Sequence, residues 1–287
     1  MPIPKHGPLS ERVPPHLFFI ISAIFHYLGP SFAVLLFAHV EPLGVAWLRI
    51  GTAAIIFGLW RKPWRMLTDG ARGQLWLVGG LGASLAAMNA SFYVAIDRLP
   101  LATVAAIEFV ATIAVALAGV RSRRNLAALI ATLTGVYALI GFEGVGDWIG
   151  LCFAAINATL FAVYIVLGHA AARAGGASGI DRLAAAMMIA LVFAAPIGLG
   201  DARVAFGSPA LLAAAIGVGV TSSVIPYVCD QLAMARLPRA TFALMLALLP
   251  ATAALIGAIV LRQVPSAVEI VGIALVGLGI AIHRPVP

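Results

Sequence analysis

Two stretches of the chain, AIDRLPLAT at residues 95–103 and AMARLPRAT at residues 233–241, share six identities in nine positions without a gap. They stand 138 residues apart in a sequence of 287, so they mark matching points in two halves. Each closes one apolar run and opens the next, and five such runs fall to each half. A repeat with an odd number of spans places its second copy upside down in a membrane. Inverted repeats are the plan of many secondary transporters, with the substrate site near the midplane between the copies.

The composition agrees with a membrane as solvent. Hydrophobic residues make up 62% and charged residues 10%, the mean hydropathy is +1.06, and 29 glycines come on top. A soluble domain carries about 25% charged residues, so nothing here could coat a water-facing surface. Apolar runs fall at Leu17–Ala38, Leu43–Trp60, Gln74–Ile96, Leu99–Val120, Leu126–Phe142, Trp148–Gly168, Leu183–Leu199, Pro209–Met234, Leu237–Leu261 and Pro265–Ile282. Most suit a bilayer core of about 30 Å crossed at about 20 residues per helix. Strict alternation over about ten residues, the mark of barrel strands, is missing. The expected fold is all-α: a polytopic membrane protein of ten transmembrane helices in two inverted five-helix repeats. The tail covers 1–16, the first repeat 17–142 and the second 143–287. The first run is too long for a signal-peptide core and lacks a cleavage site after it. Its Gly29-Pro30 pair suggests a kink.

Charge sets the orientation. With the N-terminus in the cytoplasm, the inner side receives fourteen of the 18 Lys and Arg residues; Arg98, Arg203 and Arg262 fall outside and Arg49 within a span. That asymmetry places both termini inside. Trp60, Trp64, Trp76 and Trp148 sit near span ends, as interfacial anchors do. The formal charge of +7 then reflects inner loops, and no nucleic-acid partner is implied. Cys152 and Cys229 lie in apolar runs and read as small packing residues.

Several chemistries are missing. Lys5 and Lys62 are the only lysines and neither closes a phosphate-binding G-x-x-x-x-G-K-[ST] loop. No H-E-x-x-H or G-x-S-x-G motif occurs, so neither a zinc hydrolase nor a serine protease is indicated, and no metal or cofactor is expected. Any uphill transport must draw on an ion gradient or the membrane potential; downhill exit fits equally.

Charged groups inside spans cost about 2.5–3.5 kcal/mol on insertion scales and are functional candidates by default. Arg49 and Glu108 lie at depths differing by about 3 Å at the rise of a helix, which lets them pair or gate. Asp230 lies a turn or so from the inner end of the eighth span, where Arg236 or Arg239 can neutralise it, or where it can titrate as a coupling site. Neutral polar and aromatic residues form stripes: Asn89, Phe92, Tyr93 and Ile96 on the third span, and Asn157, Phe161 and Tyr164 on the sixth. His26, Tyr27 and Ser31 interrupt the first span, and Tyr227 follows Pro226 in the eighth. A cavity lined by such groups suits a small solute of mixed polarity; helix packing is the alternative.

An ordered set of motifs runs from residue 17 to 282: Ser31-Phe-Ala-Val-Leu-Leu-Phe37, Trp47-Leu-Arg49, Trp60-Arg-Lys-Pro-Trp-Arg65, Met88-Asn89 to Tyr93, Arg98-Leu-Pro100, Glu108-Phe109, Arg121-Ser-Arg-Arg124, Tyr164-Ile-Val-Leu-Gly168, Ile225-Pro-Tyr227 and Leu249-Pro-Ala251. This set resembles the drug/metabolite transporter superfamily, and within it the EamA-type exporters of the threonine/homoserine branch. The resemblance implies ten spans in two inverted repeats and export of amino acids and related metabolites, with aromatic amino acids and some cationic drugs among the cargoes of relatives. It implies a central cavity at Asn89, Tyr93, Glu108, Tyr164, Tyr227 and Asp230. One departure stands out: Thr112 occupies the place where the repeat puts Pro250, in a span that often carries proline in the family.

The resulting expectation is a bacterial inner-membrane exporter of small amino acids, not an enzyme, that works by alternating access with lipid around it and a small-molecule substrate at its centre. The substrate-binding candidates are His26, Tyr27, Asn89, Tyr93, Asn157, Phe161, Tyr164 and Tyr227; the coupling or gating candidates are Arg49, Glu108 and Asp230. The competing reading is an intramembrane enzyme or scramblase acting on lipid-linked substrates. Nothing in the residues fixes an oligomeric state.

Overall fold

Proline starts three of the helices, where its missing N–H is not needed and its φ is already helical. Pro15 opens α1 (Pro15–Leu36), Pro42 opens α2 (Pro42–Arg61), and Pro209 opens α8 (Pro209–Arg236). Ser208 caps α8 by accepting from the Leu211 N–H at 3.4 Å. Lys62, with a left-handed φ of 51°, ends α2. Between and after these run α3 (Leu75–Arg98), α4 (101–108), α5 (Arg123–Gly144), α6 (Trp148–Ala172), α7 (Gly176–Phe206), α9 (Leu248–Val260) and α10 (Ala267–Ile282). The structure, a computed structural model, describes residues 13–64, 75–108, 123–144, 147–172, 176–237, 242, 245 and 248–282. Among these there is no strand.

Six helices (α1, α2, α3, α6, α7 and α8) are long and apolar enough to cross a membrane. The bundle is inverted relative to a soluble protein: Arg49, Asn89, Glu108, Asn157 and Asp230 are buried, while Leu59, Val192, Ile259 and Val268 face outward. Lipid explains both halves of that pattern, because polar groups must find partners inside and apolar ones need not hide. Trp60, Trp64, Trp76 and Trp148 are all exposed near helix ends. Cys152, expected to pack, also faces outward.

Where the described residues cover them whole, the expected spans match the helices closely except at the seventh. There the helix covers Gly176–Phe206, 31 residues, instead of Leu183–Leu199. Asp181 and Arg182 have the polarity of loop residues, yet both continue the helix because each finds a partner alongside it. Asp181 pairs with Arg61 at 2.6 Å, and Arg182 folds back to donate to the Ala171 carbonyl at 2.7 Å. Gly29-Pro30 does not end α1, which runs through both. Gly29 instead allows contact with α8: a Cβ there would collide with the Ser222 backbone. Most of the fourth span, the first part of the ninth, Thr112, Arg239 and nearly all of the 1–16 tail lie outside the described residues.

Packing pairs α2 with α7, α5 with α10, α3 with α6 and α7, and α1 with α8 and α9. On the α5–α10 seam, Gly135 and Gly272 abut, each with the other's carbonyl where a Cβ would sit, at 2.6 and 2.8 Å. Small residues of this kind let membrane helices approach closely. Arg98 and Asp147, 3.5 Å apart, join the end of α3 to the start of α6; Arg124 joins the start of α5 to the end of α10 through the Ile282 carbonyl at 2.6 Å.

Candidate functional site

The site is built around a buried arginine. Arg49 lies on α2, 3% exposed, and the unusual middle of α8 receives it. Residues Val220–Val224 form a π-helical turn, and Ile225–Arg236 continues as α-helix with Pro226 in its first turn. Proline offers no N–H to the carbonyl four residues back, here that of Ser222. That carbonyl accepts from Arg49 Nη2 at 2.8 Å, and Ser223 Oγ accepts from Arg49 Nε at 2.8 Å. Tyr227 OH lies 3.4 Å from Nη2. The guanidinium carbon sits 5.2 Å from the Tyr93 ring centre and 6.0 Å from that of Tyr227. Ring faces and fixed acceptors together replace the water this cation has lost.

Tyr227 OH also accepts from Asn89 Nδ2 at 3.3 Å, while the same amide donates to the Leu85 carbonyl at 2.6 Å. Tyr93 OH is buried with no hydrogen-bond partner among the described residues. Asn89 and Tyr93, four residues apart, share one face of α3.

Glu108 forms a second group. Tyr27 OH donates to its Oε2 at 3.2 Å and Asn157 Nδ2 to its Oε1 at 2.7 Å. The Asn157 carbonyl oxygen is buried and unpartnered among the described residues.

Asp230 forms the third. Ser22 Oγ donates to Oδ1 at 2.5 Å and Tyr164 OH to Oδ2 at 3.1 Å. Asp230, Ser22 and Tyr164 line a narrow cleft of about 10 Å³, room for a single water, whose other walls include Phe19, His26, Phe161 and Phe242. His26 packs edge-on to Tyr27 and Phe161, with ring centres 5.3 and 5.9 Å away.

The three groups are continuous. Tyr164 and Tyr227, with ring centres 5.6 Å apart, join the Asp230 group to the Arg49 group; Phe161, His26 and Tyr27 join it to Glu108. All eleven substrate-binding and coupling candidates therefore lie in one network. Their pairings differ from expectation in two places. Arg49 and Glu108 do not form an ion pair: the π-turn supplies Arg49 with two acceptors on α8 at 2.8 Å, and Glu108 accepts from α1 and α6. Asp230 is held by hydroxyls and not by Arg236, which donates to the Val13 carbonyl at 2.7 Å. Ser31, also singled out, bonds the Leu28 carbonyl of its own helix at 2.8 Å.

Sequence reasoning misses Ser22, Ser222 and Ser223. The Ser222-Ser223 pair three residues before Pro226 is the signal that could reveal the last two, since proline frees the carbonyl beside them. Ser22 has no comparable mark. Among the described residues no three His, Cys, Asp or Glu side chains gather to hold a metal.

Residues 148–283 match the family described as the EamA-like transporter family. The chain is 31% identical over 248 residues to the threonine/homoserine exporter RhtA of Salmonella typhimurium (strain SL1344), a match covering 85% of this chain and 82% of that one. Against the threonine/homoserine exporter RhtA of Escherichia coli (strain K12) the identity is 30% with the same coverage, 85% and 82%. A solved crystal structure superposes with a TM-score of 0.59 at 19% identity, covering 93% of this chain and 96% of the other; at that identity it speaks for the fold alone.

Proposed function

The chain belongs to the EamA-like transporter family, in the branch of the threonine/homoserine exporters, and from that membership we propose that it exports threonine- and homoserine-like amino acids across the bacterial inner membrane. The observation that carries the reading is the buried network itself. An amino acid is a zwitterion, and the bundle holds an arginine and two carboxylates, with tyrosines and asparagines between them, where lipid-facing helices would carry none. Broader cargo, aromatic amino acids included, belongs to the same proposal. An intramembrane enzyme or a scramblase is not favoured, since the named relatives are exporters.

The proposal includes two inverted repeats, 17–142 and 143–287, that rock about the central site in alternating access. Support comes from the repeated RLP motif and from the pairing of α2 with α7 and α5 with α10, since helices so matched meet their counterparts only near an axis relating the halves. Cytoplasmic termini rest on the charge count.

The test is uptake of radiolabelled L-threonine and L-homoserine into proteoliposomes, with phospholipid scrambling followed in the same vesicles. Saturable uptake with scrambling at the protein-free rate is expected. Scrambling without uptake would transfer the chain to the competing class.

A further inference from the structure

The two copies of the RLP motif make matching contacts at opposite faces of the bundle. Arg98 ends α3 and lies 3.5 Å from Asp147, at the start of α6. Arg236, its match at an interval of 138, ends α8 and donates to the Val13 carbonyl at 2.7 Å, at the start of α1. The partners match as well. Ile24 with Ile156 and Val34-Leu35 with Val166-Leu167 set α1 on α6 at an interval of 132, which carries Asp147 to Pro15, two residues from Val13. After each arginine the chain turns in the same way: the Leu99 N–H donates to the Ala95 carbonyl at 2.8 Å, and the Leu237 N–H to the Ala233 carbonyl at 2.7 Å. Each contact joins one repeat to the other. Counted along ten spans, the end of α3 and the start of α6 share one face, and the end of α8 and the start of α1 share the other. Both arginines are exposed, as groups at a water boundary are.

Alternating access parts the repeats at one face while it closes them at the other. A contact across the repeats at either face therefore survives only while that face is closed. Both contacts are made here, and Arg49, Tyr93, Glu108, Asn157 and Tyr227 between them are each at most 3% exposed. We propose that Arg98 and Arg236 are gating residues, a matched pair of latches: Arg98 with Asp147 holds the outer face closed, Arg236 with the Val13 carbonyl holds the inner face closed, and transport releases them in turn. This rests on the alternating-access reading and not on the identity of the cargo. The strength of the outer contact suits a latch. Its side chains are 39% and 33% exposed, and an ion pair so exposed weights an open–closed equilibrium by up to about fivefold. That is enough to bias a face and little enough to break in every cycle.

Access to the site from each face tests the latches. Ser22 is 3% exposed and lines the cleft at Asp230, so Ser22→Cys serves as the reporter in a background lacking Cys152 and Cys229. Its reaction with an impermeant maleimide is followed in right-side-out membrane vesicles for the outer face and in inside-out vesicles for the inner one. Arg98→Gln and Asp147→Asn should each raise the outer rate about two- to fivefold without raising the inner one. Arg236→Gln should raise the inner rate and not the outer, and Arg236→Lys should stay near the unsubstituted rate. Asp147→Asn keeps a side-chain oxygen for the Gly150 N–H, 2.9 Å away, so the cap of α6 is retained. Rates raised equally at both faces, the mark of a merely loosened bundle, would overturn the latches, and so would rates raised at neither. Uptake of radiolabelled L-threonine by proteoliposomes of the unsubstituted protein tests the exporter separately. Face-specific labelling without uptake leaves the latches and removes the exporter; uptake without face-specific labelling does the reverse.

Discussion

Asn89 Nδ2 donates to Tyr227 OH at 3.3 Å, and the two residues stand 138 apart, the same interval that separates the two copies of the RLP motif. Positions matched by a repeat touch each other only where an axis relating the copies passes between them. Four residues on, Tyr93 matches Gln231 at the same interval, and both are buried with side-chain polar atoms unpartnered among the described residues. Gly135 and Gly272, one residue off that register, abut on the α5–α10 seam. These contacts support the proposal of two inverted repeats about a central site.

The Tyr93 ring and hydroxyl are separable. Tyr93→Phe removes a hydroxyl that has no partner among the described residues and keeps the ring beside Arg49, so the melting temperature should hold or rise. Tyr93→Ala removes a cation–π contact worth about 0.5–2 kcal/mol and opens a cavity, for a loss of about 3–5 kcal/mol. Its transport should shift towards bulkier amino acids. Thermal melts of the two variants decide; equal destabilisation would assign the role to the hydroxyl.

Double-mutant cycles should follow the observed partners and not equality of depth. Tyr27→Phe with Glu108→Gln should show a coupling of about 0.5–3 kcal/mol, as for residues in one hydrogen-bonded group. Arg49→Gln with Glu108→Gln should show a smaller one, because no bond joins them. Denaturation of the single and double variants measures both, and a larger Arg49–Glu108 coupling would contradict the separate groups.

Pro226→Ala places an N–H within reach of the Ser222 carbonyl, where it competes with Arg49 Nη2. Folded yield should hold, because a regular helix becomes easier to form, while threonine uptake falls several-fold as Arg49 loses a fixed acceptor. Uptake at the unsubstituted level would mean that this carbonyl does not hold the arginine in place for transport.

Orientation can be read by labelling. Asp97 and Arg123 are both exposed, and the charge count puts them on opposite sides of the membrane. In a background lacking Cys152 and Cys229, Asp97→Cys should react with an impermeant maleimide from outside and Arg123→Cys only after permeabilisation. The reverse pattern would invert the topology.

Fold class is legible in the sequence because it depends on sums over short windows. Helices such as α2 and α6 are bounded to within a few residues by hydropathy and by proline or tryptophan at their ends. The seventh span reads too short because Asp181 and Arg182 are polar, and their partners, Arg61 and the Ala171 carbonyl, are invisible to a local window. The site residues are legible as types: an arginine, acids, asparagines and tyrosines in runs that otherwise contain none.

By itself, then, the sequence determined that the chain dissolves in lipid, that it crosses repeatedly, and which side chains are too polar to face that lipid. Backbone hydrogen bonds in a helix are local, and the preference for hydrocarbon adds up residue by residue. Which of those side chains meet was decided only by tertiary structure. A hydrogen bond fails over an ångström or so, and the approach of α1 to α8 turns on Gly29 lying against the Ser222 backbone. That contact, the π-turn before Pro226 and the place of Arg49 against it arise between helices far apart in the chain. They send Arg49 to Ser222 and Ser223, leave Glu108 to Tyr27 and Asn157, and turn Asp230 towards the aromatic cleft.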